Sequence, residues 1–229
     1  MSVPAGLALA RLLQLASPTL PVGAYSYSQG LEAAVDAGTI VDAQSAGRWI
    51  GDALLLSLAK FEAPVMSRMH AAWLARDYAE VRRLDDWFRA TRETAELRAE
   101  TLQMGYSLRR LLIDLDEFDA SPRAELESMQ APAFPAVFTF ATAQWGIAVR
   151  DALVAYLWSW LENQVMAALK AVPLGQTDGQ RLLLRLGGSL AAIADQAVAA
   201  EEAMFTNFAP GLAIASSRHE SQYSRLFRS

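Results

Sequence analysis

The chain has no cysteine, and its 229 residues include two histidines, His70 and His219, and two lysines, Lys60 and Lys170. Without cysteine there is no disulfide framework, no thiolate metal site and no thiol nucleophile. A transition-metal store built on two histidines would have to lean on carboxylates, which suit harder ions. A serine hydrolase needs a histidine base within reach of its nucleophile. The closest approach to a nucleophile elbow, SYSQG at Ser26 to Gly30, has serine where the first glycine belongs, and no strand pattern precedes it. No GxxxxGK[ST] stretch is present to cradle nucleotide phosphates, and no GxGxxG follows a strand. A net charge of -5, with a pI near 5.1, argues against nucleic-acid binding, which needs a clustered basic surface to displace counterions from phosphates. The amino-terminal MSVPAGLALARLLQLAS has no basic leader and carries Arg11 inside its apolar run, so export is not expected and a cytoplasmic protein is.

What is present is helical. Hydrophobic residues make up 53% of the chain, enough to bury a sizeable core in one domain. Apolar residues recur at three and four spacings in 7–15, 50–58, 81–88, 102–112, 149–161 and 182–204, and no strand-like alternation competes. Breaks fall at 17–23, 38–39, 116–122, 130–135 and 173–179, none of linker length. The expectation is an all-α, single-domain bundle of roughly ten helices with an irregular C-terminal tail. The charge-free stretch APAFPAVFTFATAQWGIAV, Ala131 to Val149, approaches membrane-spanning length, but its two prolines, its threonines and the Arg150-Asp151 that follow point to a buried core helix instead. Pro64 should start a helix or kink one. Between Arg76 and Arg110 charges of both signs interleave; Asp85 with Arg89, Arg89 with Glu93 and Arg92 with Glu96 stand four apart, as on a solvated helix face.

Three stretches depart from this pattern. In SPTLPVGAYSYSQGLE, Ser17 to Glu32, Ser26 and Gln29 match a capping box for a helix starting near Ser26, and two tyrosines stand beside a proline-glycine turn suited to contact. In PLGQTDGQ, Pro173 to Gln180, Gly175 is expected to end one helix in the left-handed conformation, with Thr177 and Gln180 capping the next. SSRHESQYSRLFRS, Ser216 to Ser229, has no continuous apolar stripe, so it is expected to be disordered alone and to order on a partner through its aromatic and arginine residues.

These stretches, in this order and together with ELRAETLQMGYSL (Glu96 to Leu108), closely resemble the UreF family of urease accessory proteins. The resemblance implies a non-enzymatic, all-α, homodimeric scaffold without a cofactor. Its implied role is to link UreD (also called UreH) and the GTPase UreG to apo-urease for GTP-dependent nickel insertion; direct activation of GTP hydrolysis by UreG is the alternative. Carried over by position, the implied partner-binding residues are Pro21, Gly23, Tyr25, Ser28, Gly30 and Glu32 in the first motif. Lys170, Pro173, Gly175 and Gln176 form the second, and His219, Glu220, Gln222, Arg225 and Phe227 the third. Residues 1–215 would then form the helical domain and 216–229 a partner-binding tail, with no catalytic or metal-ligating residues, no nucleic-acid partner and no membrane.

Overall fold

The computed structural model describes residues 4–229, and among them there is no strand. The α-helices are α1 (Ala5–Ala16), α2 (Leu31–Asp36), α3 (Ala43–Ala53), α4 (Ala63–Ala75), α5 (Tyr78–Ala90) and α6 (Ala95–Leu115). They continue with α7 (Ala120–Ser128), α8 (Phe134–Gln144), α9 (Val149–Ala171), α10 (Gln176–Gly187), α11 (Leu190–Ala199) and α12 (Pro210–His219). A π-helical stretch, Leu54–Glu62, joins α3 to α4 without a break, and α10 and α11 together make a 24-residue helix, Gln176–Ala199. The twelve α-helical segments therefore amount to ten rods in an all-α bundle.

At the centre lies α8. Every residue from Phe134 to Ala143 is buried, and the helix is packed chiefly against α4 and α6, with α5 and α9 alongside. A helix enclosed on all sides can carry no charge without a partner, which is why the stretch reads as a membrane segment by composition. Its polar residues are satisfied locally: the Thr139 and Thr142 hydroxyls donate to the Pro135 and Phe138 carbonyls at 2.8 and 3.2 Å. The first amides of α8 find side chains on neighbouring helices, Ala133 N–H donating to Asp85 at 2.8 Å and Phe134 N–H to Thr101 Oγ1 at 3.2 Å. Burial pushes the Asp85 carboxyl up to about 6. The approach of this segment to α6 depends on Gly105, where a Cβ would collide with the Pro132 carbonyl oxygen.

Pro64 sits in the first turn of α4, immediately after the π stretch, so the rod changes its winding there rather than breaking. With no N–H at Pro64, the Lys60 carbonyl loses its α-helical donor; the Thr206 N–H takes that place at 3.1 Å. Helix α9 forms a second spine, touching α1, α2, α10 and α11, while α12 packs on α2 and α6. Among the described residues, the rod Gln176–Ala199 is long and apolar enough to cross a membrane by length and composition. It lies against α9, and α10 also touches α3, where Gly47 leaves no room for a Cβ beside Arg185.

Candidate functional site

The first elbow folds differently from a capped helix start. Ala24–Ser26 is a single 3-10 turn, and α2 begins only at Leu31, behind Gln29 and Gly30, which both have positive φ (53° and 77°). Gly30 is required twice over: its conformation favours glycine, and a Cβ would stand 2.7 Å from the Ser216 amide of α12. The expected Ser26–Gln29 box does not form, because Gln29 is drawn inward. Its amide donates to Glu100 Oε1 and its carbonyl accepts from Trp160 Nε1, both at 2.7 Å. Of the two tyrosines, Tyr25 is exposed, whereas Tyr27 is buried.

The second elbow also departs from expectation. Gly175 is extended (φ -74°, ψ 152°) and itself occupies the N-cap of α10, with no side-chain cap from Thr177 or Gln180. Val172, also extended, ends α9 without a left-handed residue. Pro173, Gly175 and Gln176 are exposed.

The C-terminal segment is folded against the body. The boundary drawn at 215/216 falls inside α12, and residues 220–229 return across α2 and α6 as a strap. Glu32, buried on α2, accepts the Leu226 and Phe227 amides at 2.7 and 3.0 Å and faces His219 Nε2 at 3.2 Å. His219 Nδ1 lies 2.7 Å from Glu96, whose other oxygen binds Arg225 at 2.6 Å. Glu220 caps α6 by accepting the Ala95 amide at 2.8 Å, where a negative charge also suits the helix dipole. The Ser229 carbonyl oxygen accepts from the Ser28 amide, the Ser28 hydroxyl and the Gln29 amide at 2.5, 2.7 and 3.1 Å, and the Arg228 amide donates to Ser26. Polar contacts with residues from 123 to 201 positions away thus order a segment whose own sequence has no apolar stripe.

Beneath the strap lies a buried polar cluster. Arg92 Nη1 binds Glu62 at 2.6 Å, Tyr156 donates to the other Glu62 oxygen at 2.8 Å, and Glu100 accepts from Gln29 and from the Ser229 hydroxyl at 3.0 Å. Burial, with Glu62 close by, pushes the Glu100 carboxyl up to about 7. Burial likewise holds the Tyr156 phenol well above its usual range, reinforced by Glu62. The cluster forms the floor of a cavity of about 210 Å³, walled by apolar residues such as Leu20, Met104 and Phe134, with Tyr25 and Lys170 also among its lining. Those two residues also belong to a concave surface shared with Ser26, Leu226, Phe227 and Arg228, and Lys170 Nζ sits 5.6 Å from the Phe227 ring centroid.

The structure thus joins the first motif, Lys170 and the tail at one junction. Ser28, Gly30, Glu32, His219 and Phe227 are buried within it; Tyr25, Lys170, Glu220 and Arg225 are exposed around it, with Pro21 exposed and Gly23 and Gln222 half-buried. Glu62, Arg92, Glu96, Glu100, Gln29 and Tyr156 are the contributors that sequence reading missed. Glu100 carried a signal: it falls on the stripe of Leu97, Thr101, Met104 and Leu108, the face of α6 that is buried. Among the described residues, no three histidine or acidic side chains come together so as to hold a metal ion.

Fold and junction together define an all-α protein in which the first loop, Lys170 at the end of α9 and the C-terminal strap meet beside an interior cavity. A sequence model of the UreF family matches residues 40–187. The chain is 62% identical to the urease accessory protein UreF of Azoarcus sp. (strain BH72), covering 99% of this chain and 98% of that one. It is 56% identical to the protein of the same name in Dechloromonas aromatica (strain RCB), over 97% and 98% of the two chains. With the Methylobacillus flagellatus UreF it shares 48% identity over 96% and 97%. The chain belongs to the UreF family.

Proposed function

We propose that this chain is a urease accessory protein: a homodimeric, non-enzymatic scaffold in the cytoplasm. It links UreD (UreH) and the GTPase UreG to apo-urease, so that nickel is inserted as GTP is hydrolysed. The observation that carries the reading is the convergence of sequence-distant Tyr25, Lys170 and the strap residues Leu226 to Arg228 on one concave surface. Exposed aromatic and basic side chains at a recess are the residue types that anchor protein contacts. The near full-length identity to chains named urease accessory protein supports the same reading. Large apolar side chains left exposed along α9 and α10, Trp158, Met166 and Leu184, support a further contact with a second copy.

The test is co-expression with UreD, UreG and apo-urease, comparing the wild type with the Tyr25→Ala, Lys170→Ala double variant. Both residues are exposed, so circular dichroism and melting should be unchanged while capture of UreG or UreD and nickel loading of urease fall. Light scattering on the same preparation should give the mass of a dimer. Undiminished capture and urease activation by the double variant would sink the assignment.

A further inference from the structure

His219 is the last residue of α12, its side chain is fully buried, and both of its ring nitrogens face carboxylates. Nδ1 lies 2.7 Å from Glu96 Oε2, and Nε2 lies 3.2 Å from Glu32 Oε2. A neutral imidazole has one N–H and one lone pair, so it can donate to one of these oxygens and must turn a lone pair on the other. Neither acid is free to supply the missing proton, because every other hydrogen bond of the two carboxylates comes from a donor. Glu32 accepts the Leu226 and Phe227 amides at 2.7 and 3.0 Å, and Glu96 Oε1 accepts from Arg225 Nη1 at 2.6 Å. Two carboxylates are then balanced by two cations, Arg225 and a doubly protonated His219, in a site where an unpaired charge is costly. The position adds its own preference, since positive charge suits the C-terminal end of a helix.

No further charge enters this bridge. Helix α2 presents Glu32, α6 presents Glu96, and the strap presents Arg225, whose Nη1 also lies 3.5 Å from the His219 carbonyl oxygen. Glu220, the next residue along the chain, turns to the Ala95 amide, and Glu100, one turn further along α6, is engaged by Gln29 and Ser229. The first loop meets α12 at Gly30, which carries no charge.

We infer that His219 is a charged clasp, an imidazolium that bridges α2 and α6 beneath the strap, and that loss of its second proton loosens the strap. The shorter contact keeps the remaining proton on Nδ1, so the bond that fails is the one to Glu32, the carboxylate that holds the Leu226 and Phe227 amides. Those two residues and Arg228 share a concave surface with Tyr25 and Lys170. The charge on one buried ring therefore sets whether that surface is complete, and His219 acts on it as a positioning residue. The sign follows from the count of donors: the strap is tightest while His219 holds both protons, weakens as pH rises through the range in which the ring loses one, and changes no further above it. This inference goes beyond the scaffold reading and stands without it, because the clasp is a property of the isolated chain.

NMR of the full, isotope-labelled chain tests both halves. The ring-nitrogen signals of His219 should show two protonated nitrogens at about pH 6, near the ordinary midpoint of imidazole. His70 is the internal control: its Nε2 faces a single acceptor, the Ile147 carbonyl, at 3.1 Å, and burial pushes its imidazole down, so it should show one protonated nitrogen. In the same samples, after correction for intrinsic exchange, protection of the Leu226 and Phe227 amides should fall by up to about tenfold per pH unit over the range in which the His219 signals change. Amides of α8 serve as the reference. In His219→Gln the two amides should be about tenfold less protected at pH 6 and lose their pH dependence. A neutral His219 ring beside protected strap amides would put the proton on a carboxylate and overturn the inference. Protection that stays level while the ring loses its proton, or that is unchanged in His219→Gln, would also overturn it. Should His219→Gln fail to give a helical circular dichroism spectrum, the wild-type nitrogen signals decide alone.

Discussion

The centre of the bundle and the strap junction are held by opposite means. Helix α8 carries no charge, buries ten consecutive side chains from Phe134 to Ala143, and returns its threonine hydroxyls to its own carbonyls. The strap buries one large apolar side chain, Phe227, and otherwise depends on carboxylates: Glu32 on its amides, Glu96 on Arg225 and His219, Glu100 on Ser229. Apolar burial is indifferent to pH and non-directional, whereas a carboxylate contact depends on protonation and on the geometry of its partner. The centre can therefore stay fixed while the strap answers to its surroundings.

The largest effect expected from a single change lies where the two regions meet. Arg92→Ala would leave Glu62 buried with the Tyr156 hydroxyl as its remaining partner and Glu100 nearby, and uncovering a buried charge in this way costs about 3–5 kcal/mol. Chemical denaturation should show that loss, and Arg92→Ala combined with Glu62→Gln should recover much of it. A loss below about 1 kcal/mol would mean that the cluster is already hydrated.

Next in size, and confined to the apolar centre, is Gly105→Ala. The added methyl meets the backbone carbonyl of Pro132 instead of a flexible side chain, so α6 must move away from the start of α8, at a cost of about 1–3 kcal/mol. Exchange protection in α8 should drop while the Leu226 to Arg228 amides keep theirs. Equal losses in both regions would erase the distinction between them.

The two regions were also unequally legible. The helices and the burial of α8 could be read from spacing, because helical contacts are local and repeat every three or four residues. The junction could not be read from residues alone: Ser28 and Glu32 meet Ser229 and Phe227 across the length of the chain, and such pairing leaves no period. Its outline came from the resemblance of three motifs, which carried over Glu32, His219 and Phe227 as partner-binding residues but did not show that all three are buried. Local rules failed where a distant partner offered more. Asp85 and Arg89 do pair, but Arg92 binds Glu62 instead of Glu96, and Glu96 binds His219 and Arg225. Gln29 forgoes its capping role for Glu100 and Trp160. A charged residue on an apolar stripe, such as Glu100 between Leu97 and Met104, was the visible sign that a buried polar cluster lay below.

The smallest effect sharpens the comparison from the strap side. Glu220 is exposed, yet its carboxylate accepts the Ala95 amide at 2.8 Å and so closes the N-terminus of α6, beside the Thr94 side chain that accepts from Leu97 at 3.2 Å. Losing one of two caps costs about 0.5–1 kcal/mol, which in a chain of this size lowers Tm by roughly 1–4 °C. Glu220→Ala should show that loss, and Glu220→Gln, which keeps an acceptor oxygen but not the charge near the helix dipole, should show part of it. Capture of UreD or UreG by Glu220→Ala gives the second reading. If Tm is unchanged while capture collapses, Glu220 is a contact residue and its bond to α6 is incidental. If Tm falls as stated and capture holds, the carboxylate belongs to the fold, and the partner surface is drawn from the exposed residues around it.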